Sequence, residues 1–137
     1  RYQLEKFYGL CLLMLADVYR HLNNFAESQE CYRKFLETNP EDAELALQAR
    51  KGLEEVRRGA EKPEAYRRYL EALSLLVRYN NSKDEKLLMR ARKILLDLEQ
   101  KEPGWFLAEQ VESLLEQIEK LVPAGARGGE SEAPAGT

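Results

Sequence analysis

The sequence contains no run in which Val, Ile or Thr alternates with polar residues, so no segment of it predicts a β-strand. Glycine and proline are also few, 8 and 5 among 137 residues, and they fall between apolar-periodic segments or near the C-terminal end. The segments themselves consist mainly of Leu, Ala, Glu, Arg and Lys, which are good helix formers. The sequence therefore predicts an all-α protein.

Side chains that carry chemistry are equally scarce. The chain has one histidine, two cysteines and no glycine-rich phosphate-binding loop. About three helical turns separate Cys11 from His21, which is too far for a catalytic Cys–His pair. We therefore expect no enzymatic activity, no metal site and no cofactor. Cys11 and Cys31 stand alone on apolar helices, which predicts buried thiols in a reducing compartment and hence a cytoplasmic location.

Charge of one sign is not in excess. The 21 basic and 24 acidic side chains are interspersed and give a net charge of −3, so nothing general attracts nucleic acid or an anionic membrane. Two basic groups are exceptions, and they are either solvated helix faces balanced by glutamates or, as a weaker alternative, a groove for an acidic peptide or nucleic acid. They consist of Arg50, Lys51, Arg57, Arg58, Lys62, Arg67 and Arg68, and of Lys83, Lys86, Arg90, Arg92 and Lys93.

No apolar run is long enough to span a bilayer, since residues 9–16 are far too few for that. The helical spacing continues through this run, which favours a helix of the domain over a signal peptide. The chain begins on Arg1 within the helical pattern, so we expect it to be a fragment, a domain or a processed product.

The apolar spacing predicts six helices, separated by turn and breaker residues. These separators are, in order, Asn23-Asn24, Pro40, Gly59 before Pro63, Asn80-Asn81 and Pro103-Gly104. Asn24 with Glu27, and Ser82 with Glu85, have the spacing of capping boxes for the second and fifth helices. Residues 123–137 are rich in Gly and Ala and include two Pro, and they predict a disordered tail.

The six helices fall into two similar units of three, which predicts one domain over residues 1–122 with units 1–60 and 61–122. Phe25, Tyr32 and Pro40 align with Leu88, Leu95 and Pro103 at one constant offset. The asparagine pairs align at a smaller offset, so we expect a longer inter-helix turn in the second unit. Trp105-Phe106 is expected to pack over the preceding hairpin, with a role as a partner anchor as the alternative.

The first unit resembles the tetratricopeptide repeat. The residues at that family's positions are Leu15, Ala16, Tyr19, Phe25, Tyr32, Phe35-Leu36 and Pro40. Leu12 stands where the family has Trp, Ser28 where it has Ala, and Phe35 is larger than usual. The match is good over residues 9–42 and weak over 63–105. The resemblance implies a six-helix α–α superhelix, which is a short solenoid of antiparallel helix pairs with covering helices.

The family resemblance also implies a protein–protein interaction module with a concave groove. By matched position, the groove residues are Leu10, Leu13, Asp17, Arg20 and His21. Members that grip a terminal carboxylate use Lys and Asn there, and this chain has Leu13 and Asp17 instead. That specialised function is therefore not expected.

The first helix is apolar nearly all round, which a surface helix is not. Either its own chain covers both sides, or one side meets a partner, a second copy or a preceding segment, with Leu10, Leu13 and Met14 as contacts. The leading hypothesis is a scaffold that binds a protein or peptide on a helical groove. The alternative is a structural or oligomerisation module, and nucleic-acid binding is a weaker third.

Overall fold

The computed structural model describes residues 2–38 and 40–122, and all regular elements in these ranges are α-helices. The predicted all-α class with six helices is confirmed. The helices are α1 (Tyr2–His21), α2 (Phe25–Glu37), α3 (Ala43–Gly59), α4 (Pro63–Ser82), α5 (Glu85–Lys101) and α6 (Ala108–Leu121). The predicted disordered tail, residues 123–137, lies outside the described residues.

The chain divides into two compact units, Arg1–Arg67 and Arg68–Thr137, and the division falls inside α4. In the first unit α1 packs on α2 and α2 packs on α3. In the second unit α5 packs on α6. The sequence prediction placed the division just before α4.

The two hairpin turns are both short, and the prediction of a longer second turn is wrong. Asn23, at a φ of 67°, turns the chain between α1 and α2, and Lys83, at a φ of 59°, does so between α4 and α5. The asparagine pair Asn80-Asn81 lies inside α4, where Lys83 N–H still donates to the Tyr79 carbonyl at 2.7 Å. Asparagine costs a helix only a few tenths of a kcal/mol, too little to end it. The extra length of the second hairpin lies in α5, which has 17 residues against 13 in α2.

The helix caps differ from the predicted capping boxes. Asn24 is the N-cap of α2 but makes no side-chain hydrogen bond there. Asp84, and not Ser82, caps α5 and accepts a hydrogen bond from Lys86 N at 3.0 Å. The Ser82 hydroxyl instead donates to the carbonyl of Arg78 within α4. Because α4 runs on to Ser82, the cap moves two residues along the chain.

The N-caps of α2 and α3 allow a matched test of capping. Asp42 accepts two backbone hydrogen bonds at the start of α3, at 3.0 Å from Glu44 N and 3.1 Å from Leu45 N, whereas Asn24 accepts none. We expect Asp42→Ala to lower the free energy of unfolding by about 1 kcal/mol. Asn24→Ala is the matched control and should cost less than about half of that. Urea denaturation measures both, and equal losses would contradict the cap assignment.

Small residues at the α1–α2 contact let these helices approach closely. The fully buried Ser28 hydroxyl donates to the Ala16 carbonyl at 2.7 Å, and Ala16 is fully buried too. Tyr19 and Phe25 pack against the same cluster. The buried members of this first-unit core are Leu12, Ala16, Cys31, Tyr32, Phe35, Ala49 and Val56.

The second unit has its own buried set on α5 and α6, which follows the predicted spacing. Its members are Leu87, Leu88, Ala91, Leu95, Leu98, Val111, Leu115 and Ile118. Trp105 is buried and meets the Tyr69 ring edge-on at 6.0 Å. This contact confirms that Trp105 packs over the preceding hairpin.

Candidate interaction surface on the first helix

Helix α1 presents two different sides. Gly9, Leu12 and Ala16 are buried against the first unit. On the other side, large apolar side chains are between 39% and 73% exposed. Seven such residues lie on α1, and Leu22 directly follows the helix. We call these eight residues the outer face of α1: Leu4, Phe7, Tyr8, Leu10, Met14, Leu15, Val18 and Leu22. Within the first unit α1 is therefore covered on one side, and the alternative that its own chain covers both sides is wrong for that unit.

The sequence produces this arrangement because α1 has more apolar residues than one contact needs. Residues at intervals of three and four share a helix side, and Gly9, Leu12 and Ala16 fill the side that packs on α2. The remaining apolar residues follow the same intervals on the opposite side. Their side chains are left in solvent where a single-sided surface helix would have polar residues.

The predicted partner-binding residues separate into two groups. Met14 is 69% exposed, Leu10 is 39% exposed, and the side chains of Asp17 and His21 are 55% and 32% exposed. Leu13 is half-buried and packs against the first-unit core. The structure therefore brings Leu10, Met14, Asp17 and His21 to one exposed flank of α1, and it does not bring Leu13 there.

Arg20, the sixth predicted site residue, lies in a polar cluster that joins α1, α3 and the start of α4. One guanidinium nitrogen donates to Glu55 Oε2 at 3.0 Å, and another donates to Asp17 Oδ1 at 2.5 Å. The Tyr66 hydroxyl donates to the same Glu55 oxygen at 2.7 Å. Arg20 is therefore engaged inside the first unit, where its charge holds helices together.

The pKa of the Tyr66 hydroxyl is raised well above its ordinary value of 10.0, first by burial and then by the adjacent Glu55 carboxylate. Tyr66 therefore stays protonated and remains a hydrogen-bond donor at physiological pH. The shared Glu55 oxygen thus receives two donors, one from α1 and one from α4.

His21 lies at the C-terminal end of the exposed flank. Partial burial lowers the pKa of the imidazole below its ordinary value of 6.5, although the Asp17 carboxylate, 3.8 Å from Nε2, acts in the opposite direction. The ring is therefore mostly uncharged at neutral pH. This end of the outer face carries no net positive charge from His21.

A cleft of about 710 Å³ opens beside the N-terminal half of α1, between the end of α2 and the start of α3. Apolar groups line much of it, and Glu5, Lys6, Glu41 and Asp42 supply its charged groups. The apolar lining includes Tyr8, Gly9, Leu10, Phe35, Pro40 and Leu45. A Cβ on Gly9 would stand 3.1 Å from the Phe35 ring, so glycine helps α1 lie close to α2 here.

Sequence reasoning missed both the cleft and most of the outer face. Five of the six predicted site residues came from the groove positions of the family resemblance, and Met14 came from the apolar character of the first helix. Six outer-face residues lie outside that set: Leu4, Phe7, Tyr8, Leu15, Val18 and Leu22. The sequence did contain a signal for them. When the residues of the buried side of α1 are left out, the remaining apolar residues still recur at intervals of three and four. Nothing local signalled the cleft, because residues from three helices line it.

Four arginines of the two basic groups pair with carboxylates of their own unit. In the first unit Arg57 makes two hydrogen bonds to Glu54, at 2.7 and 2.6 Å, and Arg67 donates to Glu64 at 2.6 Å. In the second unit Arg68 pairs with Asp97, and Arg92 pairs with Glu119 at 2.5 Å. These pairs reduce the positive charge that the two groups offer to phosphates.

The two cysteines are both free thiols, and their environments differ. Cys31 is buried in the first-unit core, as predicted, and its burial raises the pKa of the thiol. Cys11 is only half-buried, on the solvent side of α1 between Phe7 and Met14.

None of the helices in the described ranges has the length and apolarity that crossing a membrane requires. Comparison of the chain with protein-family models, with curated proteins and with solved structures finds no match. The fold and the site therefore define an all-α protein of short helical hairpins with a broad exposed apolar face on α1.

Proposed function

We propose that the chain is a tetratricopeptide-like helical repeat domain that binds a protein or peptide partner and has no catalytic role. The observation that carries this proposal is the outer face of α1. If each partly exposed large side chain offers roughly 100 Å², about half of what a fully buried aromatic side chain covers, the eight residues offer about 800 Å². This is the area that each partner buries in an interface of standard size. Monomeric proteins rarely expose apolar patches larger than a few hundred Å².

The binding surface that we propose differs from the groove implied by the family resemblance. In this chain Leu13 packs inward, and Arg20 is held by Asp17 and Glu55. Polar and apolar groups on that side of α1 are thus already engaged. Leu10 belongs to both surfaces, and it remains a candidate for partner contact together with Met14 of the outer face.

Binding would depend on apolar complementarity, with charges at the edge setting orientation. Asp17 and Lys6 lie outside the outer face on the same helix and can act in this way. A rigid helix presents the apolar side chains without a large ordering cost on binding. Apolar contact over a helical surface of this kind needs no reactive group.

The test is affinity capture with the immobilised full chain, the Phe7→Glu variant and a Leu121→Glu control. Phe7 is 65% exposed on α1 and Leu121 is 53% exposed on α6, so neither change should unfold the chain. We expect Phe7→Glu to reduce partner capture about tenfold or more. Leu121→Glu should capture as much partner as the unaltered chain, and both variants should keep its far-ultraviolet circular dichroism. Equal capture by all three proteins would rule out the outer face as the binding surface.

The same exposed face also supports the alternative of an oligomerisation module. Nucleic-acid binding has less support, because four arginines of the two basic groups pair with carboxylates, namely Arg57, Arg67, Arg68 and Arg92. A cytoplasmic location stays a prediction from the cysteine content.

A further inference from the structure

The outer face of α1 has the spacing of a helix that pairs with another helix. Leu4, Cys11 and Val18 recur at one heptad position, and Phe7, Met14 and His21 recur at the position three residues further on. Tyr8, Leu15 and Leu22 flank this stripe on one side. Such a stripe lets two helices cross at a shallow angle and interlock their side chains over three heptads.

The charges of α1 allow two identical faces to meet. The charged residues among its described positions, Glu5, Lys6, Asp17 and Arg20, lie outside the heptad stripe, and Asp17 and Arg20 already pair with each other. His21 is mostly uncharged at neutral pH, for the reasons given above. Contact between two copies therefore buries no pair of like charges, which a self-complementary interface must avoid.

The exposed area also fits contact with a second copy of the chain. Two copies that each contribute about 800 Å² bury roughly 1,600 Å² in total, which is the standard size of a stable interface. A membrane surface fits less well, because helices that lie on anionic bilayers carry a polar face rich in Lys and Arg. On α1 the two described basic residues are balanced by two acidic ones.

From the heptad spacing, the charge-free stripe and the area, we propose that the outer face of α1 is a two-fold interface between two copies of this chain. This inference rests on the proposed function, because it names the partner that the same surface binds. Each copy uses the same residues, so one substitution changes the interface twice.

The first experiment measures the mass of the full chain by sedimentation equilibrium. We expect twice 15.8 kDa for the unaltered chain at micromolar concentration and a shift toward 15.8 kDa for Val18→Glu. Since each substitution enters the interface twice, the dimer dissociation constant should rise about 100-fold. Val77→Glu is the matched control, because Val77 is 63% exposed on α4 and Val18 is 52% exposed on α1. It should leave the mass unchanged.

Cys11 provides a second readout, since it lies on the stripe near its middle. Mild oxidation with diamide should join two Cys11 thiols in a disulfide, with the two protons and two electrons passing to diamide to form the hydrazine. The product is a covalent dimer on a non-reducing gel. Cys11→Ser should abolish this product and keep the dimeric mass, while Cys31→Ser should change neither, because Cys31 is buried.

A mass of 15.8 kDa for the unaltered chain at about 100 μM, where interfaces of this size are associated, would overturn the proposal. If Phe7→Glu still loses partner capture in that case, the proposed function stands and the partner is a different protein. A dimeric mass that survives Val18→Glu would place the interface elsewhere and would also overturn the proposal. If the chain is monomeric and sediments with phosphatidylserine vesicles, and if Val18→Glu abolishes this sedimentation, the outer face binds a membrane instead.

Discussion

Tyr66→Ala is expected to lower the free energy of unfolding by about 4 kcal/mol. The Tyr66 side chain is fully buried, and its ring centre lies 5.1 Å from that of Phe25. Alanine would leave a cavity at this contact between α2 and α4. It would also remove the hydroxyl that donates to Glu55 Oε2, which also accepts a hydrogen bond from Arg20. Urea denaturation followed by circular dichroism measures the loss.

Tyr66→Phe separates the two contributions to this effect. It keeps the ring and removes the hydroxyl, so we expect a loss of about 1.5 kcal/mol, typical of a hydrogen bond to a charged group. The remaining difference of about 2.5 kcal/mol is then due to burial of the ring. If the two variants were equally unstable, ring burial would not be the cause.

The second large effect is expected at Gly59, the last residue of α3. Alanine normally stabilises a helix by up to about 1 kcal/mol relative to glycine. Here a Cβ would stand 2.4 Å from Cδ2 of the buried Tyr66 ring, well inside contact distance. We therefore expect Gly59→Ala to lower the free energy of unfolding by about 2 kcal/mol, the cost of overpacking. Gly104→Ala is the control, since nothing lies within 4 Å of its Cβ position.

A double-mutant cycle with Tyr66 makes the cause of the Gly59 effect testable. In the Tyr66→Ala background the obstructing ring is gone, so Gly59→Ala should become neutral or stabilising by up to about 1 kcal/mol. The sign of the effect should therefore reverse between the two backgrounds. The same loss in both would show that the ring contact does not determine the requirement for glycine.

Apolar periodicity predicted the class and the order of the helices, because each helix buries a side spaced at three and four residues. Its weak point was the end of α4. The Asn80-Asn81 pair has a low helix propensity, yet α4 continues to Ser82, and Lys83 takes the left-handed turn conformation that Asn23 takes in the first hairpin. Lysine has no preference for that conformation, so the composition of the turn gave no signal.

The candidate site was less predictable than the fold. The sequence showed that α1 is apolar on all sides, but which side is covered depends on where α2 and α3 pack. The pairing of Arg20 with Glu55 spans 35 residues of sequence and takes Arg20 out of the proposed binding surface. Matched family positions could not reveal that pairing, because it depends on the particular residue at position 55.

The hydrogen bond from Ser28 to the Ala16 carbonyl has a consequence for recognition. Sliding α1 along α2 by one helical turn would leave a buried hydroxyl without its acceptor, which costs about 1–3 kcal/mol. The bond thus favours a single register of α1 against α2 and disfavours registers shifted by one helical turn. Since the inner side of α1 is fixed in this way, the side chains on its opposite side keep constant positions relative to one another. An incoming molecule then meets a preorganised surface, and little conformational entropy is lost from the backbone when it binds.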